Sequence, residues 1–189
     1  MKADILTVRF IHEGWNRFGI AQVRLADGAV VERVIEDHGN AVGILPYDPE
    51  RRVATLVREM RVPPLFASGE QVQLEAPAGL IDAGSPEENA RREVLEEVGL
   101  CLDRLDFIGA AYSCASLTTE KLHLFLAPYS RADRAEDGGG AEGEHENIRV
   151  VEIPLADLAR QADRAAITDL KTLTLVLALR ARHPELFTA

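Results

Sequence analysis

The sequence predicts an α+β fold, a β-sheet sandwiched with helices, with a small antiparallel sheet formed by the N-terminal residues. Three observations carry that reading. Runs rich in β-branched and apolar residues dominate the first third of the chain, and two of them flank Asp27-Gly28, a tight hairpin turn signal. A helix with both ends written in the sequence opens at Ser85 and stops at Gly99. Two further helices close the chain after one more strand.

Each element follows in order. Residues 5–36 are strand-rich, with 21–25 and 29–34 as the arms of the hairpin. Residues 40–46 and 52–58 are β-rich runs split by a turn at Asp48-Pro49-Glu50, Pro63-Pro64 breaks the chain, and 73–76 is another short strand. Ser85-Pro86-Glu87-Glu88 places an N-cap serine, a proline at the first helical position and a glutamate at the third. That is a capping box, in which the hydroxyl and the carboxylate each satisfy a main-chain N–H that the helix leaves over. Gly99 ends the helix, as glycine does where the chain turns left-handed. Strands return over 105–113 and 121–127. Residues 131–147, with Gly138-Gly139-Gly140 among acids, lack an apolar period and read as a mobile surface loop. A strand at 149–153 and helices near 155–163 and 168–182 complete the chain. The division expected is an N-terminal sheet segment at 1–37 and a main domain at 38–189.

Composition narrows the function classes. The formal net charge is −10 and no long basic run occurs, so nucleic acid is excluded as a partner, because binding it needs clustered lysine and arginine. A small anionic substrate still fits if divalent cations bridge it to the protein. No apolar run is long enough for a membrane span, and the N-terminus lacks the apolar stretch of a signal peptide. Cys101 and Cys114 lack metal spacing and read as buried free thiols of a cytoplasmic protein. The histidines also lack metal spacing and carry no assigned role, with His123 half-buried in its strand.

On the helix from Ser85 to Gly99, Glu93, Glu96 and Glu97 share an arc of about 100°, beside an apolar stripe of Ala90, Val94 and Val98 that faces the sheet. Like charges so close repel by a few tenths of a kcal/mol per exposed pair. A hard divalent cation relieves that repulsion. On the carboxylates alone, a solvated acidic face is the better reading. The neighbours reverse it. Arg92-Glu93-Val94-Leu95-Glu96-Glu97-Val98-Gly99-Leu100 resembles the second half of the Nudix box at every defined position, and Ala78-Gly79-Leu80-Ile81-Asp82-Ala83-Gly84 resembles its opening glycine loop. The resemblance implies an α/β/α sandwich with a mixed sheet and a Mg²⁺- or Mn²⁺-dependent hydrolase using more than one ion. It departs in one place: the loop is one residue short, and Ser85 stands near where the box carries a glutamate.

The short loop is similar to that of the GDP-mannose hydrolase branch of the superfamily. So are Asp37-His38-Gly39-Asn40, Arg58-Glu59-Met60-Arg61, Glu75-Ala76-Pro77-Ala78-Gly79-Leu80, the triple-glycine acidic loop ahead of Ile148–Pro154, and Asp169-Leu170-Lys171-Thr172. The resemblance implies hydrolysis of a nucleoside diphosphate sugar, GDP-mannose above others, to a nucleoside monophosphate and a sugar 1-phosphate. Val34 stands where that branch carries an acid, which keeps the related ADP-ribose pyrophosphatases, yielding AMP and ribose 5-phosphate, as the alternative. A catalytically silent nucleotide-sugar-binding regulator is the third reading.

Roles follow by position. Glu93, Glu97 and the carbonyl of Ala78 are implied metal ligands, and Glu96 is the remaining box carboxylate. Glu146 resembles the loop glutamate that binds metal or deprotonates the attacking water, with Glu142 and Glu144 as rivals. Ala78, Gly79 and Leu80, with Arg33, Arg61, Glu120, Lys171 and Trp15, match substrate-side positions. Arg33, Arg61, Glu120 and Lys171 read almost equally as ordinary surface charges, and Trp15 equally as core. Both branches exchange the N-terminal sheet within a homodimer, so a homodimer is expected.

Overall fold

The computed structural model describes residues 2–140 and 147–188. It contains two sheets. The first is three-stranded, in the order β1-β2-β3, with β1 at Asp4–Glu13, β2 at Arg17–Arg24 and β3 at Val30–Asp37, all antiparallel. The hairpin between β2 and β3 turns at Asp27-Gly28, where Gly28 adopts φ +88 and Asp27 Oδ1 accepts from the Ala29 N–H at 3.0 Å. Residues Met1–Asn40 and Ala111–Lys121 make one unit around this sheet. Within it, Glu36 exchanges main-chain hydrogen bonds with Leu117 and Thr119, which ties the 111–121 turn to the end of β3.

The second unit, Ala41–Ala110 with Leu122–Ala189, is built on the other sheet. Its path is β10-β5-β4-β9-β8, with β4 at Ala41–Asp48, β5 at Val53–Met60, β8 at Asp106–Tyr112, β9 at Lys121–Pro128 and β10 at Arg149–Pro154. Two short strands, β6 at Val72–Glu75 and β7 at Ala78–Leu80, pair with β5 and β4. The β4–β9 pair is parallel and the β4–β5 and β5–β10 pairs antiparallel, so the sheet is mixed. Alternation along the strands feeds two cores. Val42, Ile44, Val57, Phe125 and Ala127 pack with Ala90, Val94 and Val98 of helix α2, Pro86–Val98. Leu45, Tyr47, Ala54, Leu56, Leu124 and Leu126 pack on helices α3, Leu155–Asp163, and α4, Leu170–Arg182. One sheet between two helical layers is the α/β/α sandwich.

Three expectations need correction. Pro63-Pro64 does not break the chain but starts a short helix, α1 at Val62–Ser68, because the first helical turn needs no N–H from proline. Both cysteines are exposed: Cys101 lies just past the end of α2, and Cys114 in the 111–121 turn. The first half of the 131–147 loop is tied down, with a 3₁₀ turn at Arg131–Asp133 capped by Ser130. None of the described helices is long and apolar enough to cross a membrane.

Candidate active site

Helix α2 starts where its cap residues put it. The Ser85 hydroxyl accepts from the Glu88 N–H at 3.2 Å, and the Glu88 carboxylate accepts from the Ser85 N–H at 2.7 Å. That bond holds the Glu88 carboxyl below its ordinary range. The apolar stripe fixes the helix's rotation, and rotation then decides which carboxylates go inward. Glu93 and Glu97 are one turn apart and nearly buried, 9 % and 4 % exposed, whereas Glu96 is partly open to solvent. Their inner neighbour is β7. The Ala78 N–H donates to Glu97 Oε2 at 3.3 Å. A Cβ on Gly79 would fall 2.1 Å from Glu93 Cδ, so glycine lets the strand pass this close with the carboxylate in place. Arg92 lies over the group, 2.8 Å from Glu93, 3.2 Å from Glu96 and 3.4 Å from Asp82. Its single positive charge offsets only part of theirs, and an additional cation suits this set of oxygen donors.

A second charged cluster lies in the same unit. Glu75, 4 % exposed at the end of β6, accepts from Arg61 at 2.9 and 3.1 Å and pairs with Lys171 at the start of α4. Arg61 also reaches Glu59 at 2.8 Å, and Lys171 reaches its helix's N-cap Asp169 at 3.2 Å. Burial pushes the Glu75 carboxyl up, but the Arg61 and Lys171 bonds and charges outweigh it and hold the group below its ordinary value. Burial acts downward on Arg61, and Glu75, Glu59 and Glu97 outweigh it in turn. Arg61 and Lys171 therefore share Glu75, with Glu59 and Asp169 as further partners, rather than standing free on the surface. Beside Glu59 opens a cleft of about 700 Å³, lined by Arg58, Met60, Val72, Asn147, Arg149 and Val151 as well.

The far end of α2 is closed by the glycine-rich segment. Gly140 N–H donates to the carbonyl of Glu96 at 3.1 Å and Gly139 N–H to that of Glu97 at 2.9 Å. Ala135 N–H and Glu136 N–H both reach Gly99, and Arg134 Nη1 reaches Val98 at 3.1 Å. These donors satisfy carbonyls that a helix C-terminus leaves over. A Cβ on Gly138 would stand 2.5 Å from the Glu97 carbonyl. The glycines serve contact here, not looseness.

Glu146, Glu144 and Glu142 lie outside the described residues. Among the described residues, no group of three or more His, Cys, Asp or Glu is gathered as a metal centre. The first unit holds Trp15, Arg33 and Glu120. Trp15 is exposed and not core, Arg33 points one guanidinium N–H at the Glu32 carbonyl at 2.8 Å, and Glu120 is bonded to His38 at 3.2 Å. Sequence reasoning missed Glu75 and His38 as organisers. A charged residue on a short strand two residues ahead of Pro77 was the available signal for Glu75; for His38 it was only its place in the segment Asp37-His38-Gly39-Asn40.

Residues 37–175 match the NUDIX domain family. The chain belongs to the Nudix family. As a Nudix hydrolase it is 35% identical over 159 residues to the GDP-mannose pyrophosphatase of Cronobacter sakazakii, with 82% of each chain covered. It is 32% identical over 179 residues to the GDP-mannose pyrophosphatase of Pectobacterium atrosepticum, covering 92% of this chain and 91% of the relative. A solved structure, the crystal structure of an ADP compounds hydrolase, superposes with a TM-score of 0.76 at 24% identity, over 98% of this chain and 96% of the other. At that identity the likeness speaks for the Nudix fold alone.

Proposed function

We propose that this Nudix hydrolase cleaves the pyrophosphate of a nucleoside diphosphate sugar, GDP-mannose, to GMP and mannose 1-phosphate. Water supplies the oxygen that bonds to one phosphorus, and the bridging P–O bond breaks. The observation that carries the reading is the nearly buried pair Glu93 and Glu97, with the Glu93 carboxylate pressed against the bare backbone of Gly79. The names of relatives matched along four-fifths or more of the chain support the substrate.

Glu93, Glu97, the Ala78 carbonyl and the loop carboxylate Glu146 would hold more than one Mg²⁺ or Mn²⁺, with Glu96 at their margin. Such ions, when bound, neutralise the diphosphate and acidify a coordinated water. Arg61 and Lys171, already set by Glu75, anchor substrate anions, and binding there is converted into orientation at the reacting centre. The cleft of about 700 Å³ beside Glu59 is of the size that small-molecule sites occupy. Glu146, on a glycine-rich loop, binds metal or takes the proton of the attacking water, with Glu144 and Glu142 as rivals for that place.

The segment 1–37 is the dimer-forming sheet in this reading, and the enzyme a cytoplasmic homodimer in which Trp15 and Arg33 serve the partner's site. Support comes from the apolar residues that the small sheet leaves open, Ile5 64%, Ile11 53% and Val30 54% exposed. A monomer by light scattering would contradict it. ADP-ribose is the second substrate reading, favoured by Val34 in place of an acid. A panel assay with Mg²⁺, containing GDP-mannose, ADP-ribose, other nucleotide sugars and NADH, separates the readings. GDP-mannose turning over fastest is the expected result. A preference for ADP-ribose would move the substrate, and thermal stabilisation by GDP-mannose without cleavage would make the protein a silent regulator.

A further inference from the structure

Inside the first unit, one histidine joins three separate stretches of chain. His38 Nδ1 lies 2.9 and 2.8 Å from the two oxygens of Glu36 on β3, and Nε2 lies 3.2 Å from Glu120 in the 111–121 segment. All three side chains are only 15% exposed. Glu36 also accepts from Asn16 at 2.8 Å and from Thr118 at 2.9 Å. Asn16 belongs to the turn between β1 and β2, and its neighbour Trp15 lays its indole on the imidazole. The ring centroids are 5.3 Å apart and the planes within 13°.

Two features of this set are unusual. An imidazole with a carboxylate on each nitrogen carries both N–H groups, because a neutral ring would turn a lone pair towards one acid. Burial acts against the charge, but Glu36 and Glu120 outweigh it and raise the pKa of His38 above its ordinary value. Trp15, meanwhile, is 74% exposed yet held flat, with one face on the imidazole. A large aromatic surface already oriented by a neighbouring ring has less freedom to lose when a ligand stacks on it.

We propose that His38 is a positioning residue for nucleobase recognition: clamped between Glu36 and Glu120, it fixes the Trp15 indole as a stacking surface for the base of the substrate. The inference rests on the nucleotide-sugar reading above. The charged groups facing the imidazole are Glu36 and Glu120. The adjacent Asp37 is engaged by Arg17 of β2 and by Thr119, and Lys121 lies over the Tyr112 ring. Loss of the proton removes one of the two carboxylate bonds and loosens the platform.

Trp15 is the only tryptophan, so the protein's indole emission reports this residue alone. The test is a fluorescence titration of the full-length protein from about pH 5 to about pH 9, with GMP as the binding probe. Emission should rise in one step, centred above the ordinary histidine range, as the stacked imidazolium loses its quenching charge. His38→Gln should abolish the step and weaken GMP binding about tenfold, while kcat at saturating GDP-mannose stays within about twofold. His38→Arg, a permanent cation with several N–H donors, should abolish the step and keep GMP affinity within about threefold of wild type. A flat wild-type profile, a step that survives in His38→Gln, or unchanged GMP affinity in that variant would overturn the proposal. If His38→Gln does not fold, the wild-type titration and His38→Arg decide alone. A step that His38→Gln removes, with no emission response to GMP or AMP, overturns the nucleobase assignment. GDP-mannose hydrolysis measured on the same sample shows whether the proposed function falls with it.

Discussion

Gly79→Ala tests whether strand β7 sets the position of Glu93. The added Cβ would lie 2.1 Å from Glu93 Cδ and 2.3 Å from each carboxylate oxygen. Contacts of that kind are not tolerated below 3.0 Å, so the carboxylate must withdraw by about 1 Å or more. The strand itself has little reason to move, since Gly79 is paired with Val42 in the interior sheet. The helix is held equally by Ala90, Val94 and Val98, all with no exposure. Displacement therefore falls on the side chain, whose outer end is flexible. A misplacement of about 1 Å in a catalytic group lowers the rate roughly 10²-fold, equivalent to about 2.7 kcal/mol of transition-state stabilisation. Stability should suffer much less, by about 1–1.5 kcal/mol, near the low end for overpacking, because the clash is with a side-chain terminus. The assay is kcat/KM for GDP-mannose across a Mg²⁺ series, beside thermal unfolding of the same preparation. A fall of about 10²-fold with a Tm shift of a few degrees is expected. Activity within about threefold of wild type at the same Mg²⁺ would refute the claim that this strand positions Glu93.

Glu97→Gln keeps an oxygen to accept from the Ala78 N–H but loses the charge, so turnover should be abolished with the circular dichroism spectrum and Tm retained; near-normal turnover would contradict the assignment. Gly138→Ala combines a φ of +76 with a Cβ 2.5 Å from the Glu97 carbonyl, and chemical denaturation should show a loss of about 2 kcal/mol or more. Glu75→Gln removes the carboxylate that Arg61 and Lys171 share and leaves them Glu59 and Asp169; a loss of roughly 2 kcal/mol and a raised KM are expected, read by denaturation and steady-state kinetics. The His38 and Glu36 shifts set a pH window for the first unit. His38 has a raised pKa, so its contribution is complete below 6.5 and is lost as pH rises through the higher folded value. Burial pushes Glu36 up, but bonds from Asn16, His38 and Thr118 lower it, so its contribution is complete above 4.5 and is lost as pH falls through the lower folded value. Hydrogen-exchange protection of β3 should therefore peak between those two values, and a peak on the alkaline side would contradict the pairing.

Much of the scaffold was legible because its signals are local. The Ser85 and Glu88 cap, the Gly99 stop and the Ala90-Val94-Val98 stripe depend on spacing along one helix, and the structure shows all of them. The hairpin at Asp27-Gly28 is local in the same sense. What escaped was set by partners distant in sequence. Cys101 reads as a small hydrophobe, but its exposure is decided by where the chain goes after Gly99. The role of His38 depends on Glu120, 82 residues away, and that of Glu75 on Lys171, 96 residues away. No periodicity or spacing carries such pairs.

The triple glycine shows how one composition supports opposite physical readings. Gly138-Gly139-Gly140 among acidic residues suggests a chain too floppy and too charged to order, and that inference treats glycine only as a source of conformational freedom. Glycine has a second use, the absence of a side chain where two backbones meet. Gly139 and Gly140 donate to the Glu97 and Glu96 carbonyls, and Gly138 passes where a Cβ would stand 2.5 Å from the first of these. The helix end that presents the box carboxylates is thus held by the same segment that leads towards Glu142, Glu144 and Glu146. The N–H donors of Ala135, Glu136, Gly139 and Gly140 fix this segment to the end of α2, so glycine here serves to order the chain rather than to loosen it.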